Sequence, residues 1–261
     1  MWGLLKKRRR REYRDRPFPP AWEEILRRSW KLYARLPEPD RDELHRHIHV
    51  FLAEKRFEGC DGQEITDEVR LVIAAQACLL LLHRETDYFP EMKTVMVYPT
   101  LFYVDDAGTD ETGWVVTEFN EDRSGESWDR GPVILAWEDV AQAAAGRTQR
   151  YNVVVHEFSH QIDLENGDVD GVPRLESRER YREWDEAFTA AYAKHCREVD
   201  RGLRTAIDDY GAEGPSEFFA VAVETFFEDP DLLSRKYPRV YEALAAYFRQ
   251  DPLSWPPANA V

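Results

Sequence analysis

Asn152-Val153-Val154-Val155-His156-Glu157-Phe158-Ser159-His160-Gln161-Ile162-Asp163 is the stretch that decides how this chain is read. Residues four apart share one face of an α-helix, so His156 and His160 can both reach one metal ion. Glu157, one step round, can touch a water beside it. Asn152 supplies a helix start, the three valines a buried first turn, and Asn166-Gly167 a stop. The pattern predicts a helix over about residues 152 to 165. His156, His160 and Asp163 then fall on one stripe, with Val154, Phe158 and Ile162 on others. An ordinary amphipathic surface helix can carry two histidines. A glutamate between them in an apolar helix still needs a reason to be buried, and a metal site of the H-E-x-x-H type provides one.

A catalytic zinc usually takes three protein ligands and leaves a position for water. Asp163 lies on the right face, but its separation from His156 is about 10 Å of helix rise, which suits an orienting group, or a residue that simply sits near the helix end, better than a ligand. The other candidates lie in Pro215-Ser216-Glu217-Phe218-Phe219-Ala220-Val221-Ala222-Val223-Glu224. A carboxylate in so apolar a helix is costly unless paired or metal-bound. Glu217 and Glu224 are seven apart and share a face, so spacing alone does not separate them. Glu217 would also suit a helix first turn, where the dipole favours it. A closed structural zinc site is disfavoured, because Cys60, Cys78 and Cys196 all lie far from these motifs in sequence.

Around these motifs the chain reads as helices, then a small sheet, then helices, which is the α+β class. Helices are expected from Trp22 to about Tyr33, from about Asp40, and from Thr66 to His83. Strand-like runs follow at 94–98, 114–119 and 132–137, with a polar loop at 120–131. Further helices are expected at about 178–199, 216–227 and 237–250. His45, His47 and His49 alternate along the second helix and so point to different sides, which argues against a shared metal. Residues 1–20 read as a basic, solvated and mobile tail that ends at Pro17-Phe18-Pro19-Pro20, with contact to an acidic partner, nucleic acid or a membrane surface as the sharper alternatives. Residues 21–261 read as a single catalytic domain whose helical N-terminal part covers about 21–90.

Composition narrows the function. A net charge of -15 makes nucleic acid an improbable partner for the folded domain, despite the basic run Lys6 to Arg11. The longest apolar run, Leu71 to Leu82, is interrupted by Gln76 and is too short to span a bilayer. No signal-peptide hydrophobic region follows the basic run, and three scattered cysteines without a C-x-x-C pair suit a reducing compartment. A cytoplasmic location is the expectation.

The chain resembles the Mlc titration factor A family of zinc-dependent peptidases, gluzincin-like enzymes whose active site is similar to that of the anthrax lethal factor protease domain. The resemblance rests on V-x-H-E-F-x-H-x-x-D at 154–163 and Y-G-x-x-x-x-x-E-F-F-A from Tyr210 to Ala220. It extends to the helical start and to G-P-V-I-L-A-W at 131–137, and so covers nearly the whole chain. It implies a zincin-like fold with N-terminal helices, a small mixed sheet and an H-E-x-x-H active-site helix. It also implies one zinc per chain on His156, His160 and Glu217, and so selects Glu217 over Glu224. Glu157 becomes the base and Tyr210 the hydrogen-bond donor to the oxyanion. Peptides or proteins are the implied substrates, with aminopeptidase-like action on small ones. A different class of function is implied too: a regulatory protein that sequesters a transcriptional repressor, with peptidase activity secondary.

Overall fold

The computed structural model describes residues 2–100, 131–148 and 150–257. The strand expected at 114–119 and nearly all of the polar loop after it lie outside the described residues.

The N-terminal half is layered around one helix that is buried over most of its length. Helix α1 (Trp2–Arg14), α2 (Pro20–Ser29) and α3 (Glu38–Glu54) precede strand β1 (Arg56–Gly59) and helix α4 (Asp67–Leu79). Thr66 caps α4, its Oγ1 accepting from Val69 N–H at 3.3 Å. From Leu71 to Leu79 every residue of α4 is buried, Gln76 included, so this apolar run is the centre of the core. The helix expected through Tyr33 stops sooner: Trp30 is extended, and Lys31–Arg35 is a 3-10 turn.

The expected solvated tail is instead a helix that docks. Arg10 of α1 is only 12% exposed at its side chain and forks onto Glu54 at 2.7 and 2.8 Å, with Asp87 at 2.6 Å. Its guanidinium lies over the ring of Tyr88, 4.6 Å from the centroid. The docking partners come from other parts of the chain, and a run of like charges does not announce them.

The sheet follows the order β1-β2-β3, with β2 at Thr94–Tyr98 and β3 at Val133–Ala136. Both described pairings are parallel, with Phe57 opposite Val95 and Val97 opposite Leu135. The expected mixed sheet is therefore corrected to a parallel one among the described residues. Parallel neighbours need a crossover connection, and α4 provides it between β1 and β2. Val95 and Val97 face the core while Thr94, Met96 and Tyr98 are half-buried, the alternation a pleated strand imposes.

Helix α5 (Trp137–Ala144) follows β3 directly, and α6 (Val153–Asp163) follows α5. Asn152 caps α6, its Oδ1 accepting from Val155 N–H at 3.1 Å. Phe158 fixes α6 to the core, packing edge-on to Phe89 at 4.8 Å and tilted against Phe51 at 5.7 Å. A 3-10 turn over Leu164–Asn166 and Gly167 at φ 105° end the element, as the Asn-Gly pair predicts. The C-terminal half holds α7 (Arg178–Asp200), α8 (Pro215–Glu228), α9 (Pro230–Lys236) and α10 (Pro238–Phe248). Helices α8, α9 and α10 each open on proline, whose fixed φ suits the first turn. No helix among the described residues is long and apolar enough to cross a membrane.

Candidate metal centre

Helix α8 lies antiparallel to α6. The start of α6 meets the end of α8 through Asn152 and Glu228, and the end of α6 meets the start of α8 through His160 and Ser216. This pairing brings His156, His160 and Glu217 together, the one group of metal-ligand type found among the described residues. His45, His47 and His49 stay apart, as their spacing predicts. His45 bonds Tyr33 Oη at 2.7 Å, and His47 bonds Tyr88 Oη at 2.8 Å.

The inward atoms form a triangle. His156 Nε2 lies 3.1 Å from Glu217 Oε2, His160 Nε2 lies 3.4 Å from Glu217 Oε1, and the two Nε2 atoms are 3.2 Å apart. Four ligands held tetrahedrally about 2.0 to 2.1 Å from an ion stand about 3.3 Å from one another. The three donors thus stand at the separations such an ion would require.

The outward nitrogens are both engaged. His156 Nδ1 lies 2.8 Å from Glu224 Oε1 and donates to that carboxylate, so Nε2 is the nitrogen that can ligate once a metal ion displaces its proton. His160 Nδ1 donates to Ser216 Oγ at 3.0 Å, and Ser216 Oγ donates to Asp163 Oδ2, also at 3.0 Å. Asp163 Oδ2 also accepts from Gly171 N–H at 2.7 Å. Asp163 is therefore linked to His160 through the serine, which fits the first of the two roles the spacing argument leaves it. Nε2 of His156 and Oε2 of Glu217 face each other at 3.1 Å, an approach that needs a proton or a metal ion between them. A metal ion meets that need, so the residues present fit one.

Electrostatics point the same way. Burial opposes charge on His156, yet its hydrogen bonds to Glu217 and Glu224 outweigh that and hold the imidazole well above its ordinary pKa. Burial pushes the Glu217 carboxyl up, but its two histidine partners win and hold it down at about 2. Burial raises Glu224 above the usual carboxylate range, against the pull of His156. The pocket is built for positive charge at its centre.

Behind His156 lies a polar network that the sequence reading misses. Asn152 N–H donates to Glu224 Oε2 at 2.5 Å, while its side-chain amide donates to Gln76 and Glu228, each at 2.8 Å. The signal was present: Gln76 interrupts an apolar run, and a buried amide needs partners.

Glu157 is half-buried on α6. Tyr210, also half-buried, sits on a 3-10 turn over Asp209–Ala212, its ring 6.0 Å from that of His156. Gly211 lets this turn lie on α8: a Cβ there would stand 2.7 Å from Val221 Cγ2 and 3.3 Å from His195 Nε2. Gly171, at φ 78°, lies against the first turn of α8, where a Cβ would fall 2.4 Å from the carbonyl oxygen of Pro215. Both elements beside the site thus depend on close backbone approach.

Residues 4–249 match the family model described as glucose-regulated metallo-peptidase M90. An uncharacterised protein of Synechocystis sp. is 42% identical over 246 residues, covering 94% of this chain and 89% of that protein. The Mlc titration factor A of Klebsiella pneumoniae subsp. pneumoniae is 34% identical over 238 residues, covering 89% of this chain and 87% of its own length. That of Escherichia coli is 32% identical over 237 residues, covering 89% and 86%. With the match running almost end to end, the chain belongs to the Mlc titration factor A family of M90 metallopeptidases.

Proposed function

We propose that this protein is a zinc-dependent metallopeptidase of the gluzincin type. Its H-E-x-x-H helix is α6, its ligands are His156, His160 and Glu217, and it takes one zinc per chain in a zincin-like fold. The observation that carries the reading is the triangle of donors whose outer nitrogens are already fixed by Glu224 and Ser216. Zinc suits two imidazoles and a carboxylate, and when bound it acidifies water and polarises a carbonyl.

The chain's own residues supply the rest. Glu157 accepts a proton from the attacking water and hands it to the departing amine. Tyr210 donates a hydrogen bond to the oxyanion that forms at the carbonyl. Glu224, Ser216 and Asp163 hold the two imidazoles in the ligating tautomer. Strand β3, the last of the described sheet, lies next to α6 in the fold and is the element along which an extended peptide would pair. The substrates are peptides, with aminopeptidase-like action on small ones. The free cysteines Cys60, Cys78 and Cys196 suit a cytoplasmic enzyme.

Hydrolysis of aminoacyl anilides by the zinc-loaded protein tests this directly. Glu157→Gln should keep its zinc and lose at least about 100-fold in kcat. Turnover by that variant at the wild-type rate would overturn the assignment. A second reading draws on the relatives' printed name, Mlc titration factor A. In it, the chain binds a transcriptional repressor, and Glu157→Gln would then leave the biological effect intact.

A further inference from the structure

Away from the metal centre, a cleft of about 640 Å³ opens where three separate segments meet. Arg150 comes from the turn before α6, Arg204 from the loop after α7, and Lys236 from the end of α9. None of the three makes an ion pair among the described residues, although the chain carries an excess of acid. Some cations elsewhere find carboxylates, as Arg10 does with Glu54, Arg239 with Glu186 and Arg249 with Glu176, while others stand alone on the open surface; these three share one concavity.

Two carboxylates do line the cleft, but both are engaged. Glu228 Oε1 accepts from the Asn152 amide at 2.8 Å. Asp229 Oδ1 caps α9, accepting from Leu232 N–H at 3.2 Å. Arg150 is fixed in place: its guanidinium donates to the carbonyl oxygen of Ala206 at 2.5 Å, and its backbone sits at φ 70°, a left-handed conformation unusual for arginine. Three cations against two carboxylates leave the concavity positive on balance, in a chain that is acidic as a whole, and so favour an anion there.

We propose that this cleft binds a small molecule bearing a phosphate group, held by Arg150, Arg204 and Lys236. A phosphate ester offers about two charges and three acceptor oxygens to the three cationic donors, whereas one carboxylate would satisfy a single guanidinium. The volume suits a small ligand. A polyanion is disfavoured by the net charge of -15 on the whole chain. The cleft is joined to the metal centre, because Glu228 holds Asn152, and Asn152 holds the carboxylate that orients His156.

The test is calorimetric titration of the full-length, zinc-loaded protein with glycerol 3-phosphate and with inorganic phosphate, at constant ionic strength. Arg204 and Lys236 are exposed, so Arg204→Ala and Lys236→Ala should fold normally. The expected result is saturable binding, weakened about tenfold or more by either substitution and lost in the double variant. Removing Lys7 and Arg9 of the basic α1 should leave it unchanged. The proposal is overturned by absence of saturable binding. It is equally overturned by binding that survives in the double variant, which would place the anion at the metal, or by binding lost with Lys7 and Arg9, which would place it on α1.

Discussion

Replacing Glu224 by glutamine tests whether the residue behind His156 sets the tautomer of this proposed metal ligand. The carboxylate faces two donors: His156 Nδ1 at 2.8 Å on Oε1 and Asn152 N–H at 2.5 Å on Oε2. An amide of the same shape has only one acceptor. The backbone N–H of Asn152 cannot give up its proton, so the amide oxygen must turn to it, which leaves the NH2 facing Nδ1. To accept that hydrogen bond, Nδ1 must lose its proton and the ring must carry it on Nε2, the atom 3.1 Å from Glu217. The substitution thus favours the one tautomer that cannot ligate. The opposite rotamer keeps the ligating tautomer but sets two buried donors against each other, at about 1 to 3 kcal/mol. Either way, zinc affinity should fall about 10- to 100-fold, or about 1.4 to 2.8 kcal/mol, typical of losing an orienting partner. The assay is zinc competition with a calibrated chelator at neutral pH, on protein shown by circular dichroism to be folded. Unchanged affinity in the folded Glu224→Gln variant would refute the claim that Glu224 orients His156.

Three more outcomes follow from the packing. Burial pushes the Glu228 carboxyl up to about 7, against the Asn152 hydrogen bond, so the folded state retains a proton that the unfolded chain releases. Stability attached to this group is full in acid and is lost as pH rises from the ordinary carboxylate range through about 7. Glu228→Gln should therefore stabilise by about 1 to 3 kcal/mol above that range and little below it, measured by urea unfolding at several pH values. Parallel pH profiles for the two proteins would count against the shift. Gly171→Ala should cost about 3 kcal/mol or more, since the left-handed backbone and the contact with Pro215 are both penalised; a thermal midpoint within a degree or so of wild type would contradict the geometry. Arg10→Met should cost about 3 kcal/mol by leaving Glu54 half-buried and unpaired, seen as a lower urea midpoint. No shift at all would mean that the Arg10–Glu54 pair contributes nothing to stability.

What could be read from the sequence divides by whether the determinants are local. The α6 helix was legible because its cap, its buried face and its stop all lie between Asn152 and Gly167. The docking of α1 was not, because Glu54 and Asp87 are remote in sequence from Arg10. Strand β1, only four residues long, owes its existence to parallel pairing with β2 and offers no comparable pattern of its own. The choice between Glu217 and Glu224 shows where spacing stops being informative. Both lie on the face of α8 turned to α6, and they hold opposite nitrogens of one imidazole, Glu217 near Nε2 and Glu224 at Nδ1. The question of which glutamate matters had a false premise, since a ligating histidine needs an acceptor on its other side as much as it needs a metal. Gln76, Asn152 and Glu224 share that logic. Each is a polar residue in an apolar setting, each is buried, and each contributes a hydrogen bond that fixes the start of α6 or its first histidine. Polar interruptions of apolar helices therefore mark the support of a site as well as its ligands. Here they trace a continuous path from the central helix α4 to the candidate metal.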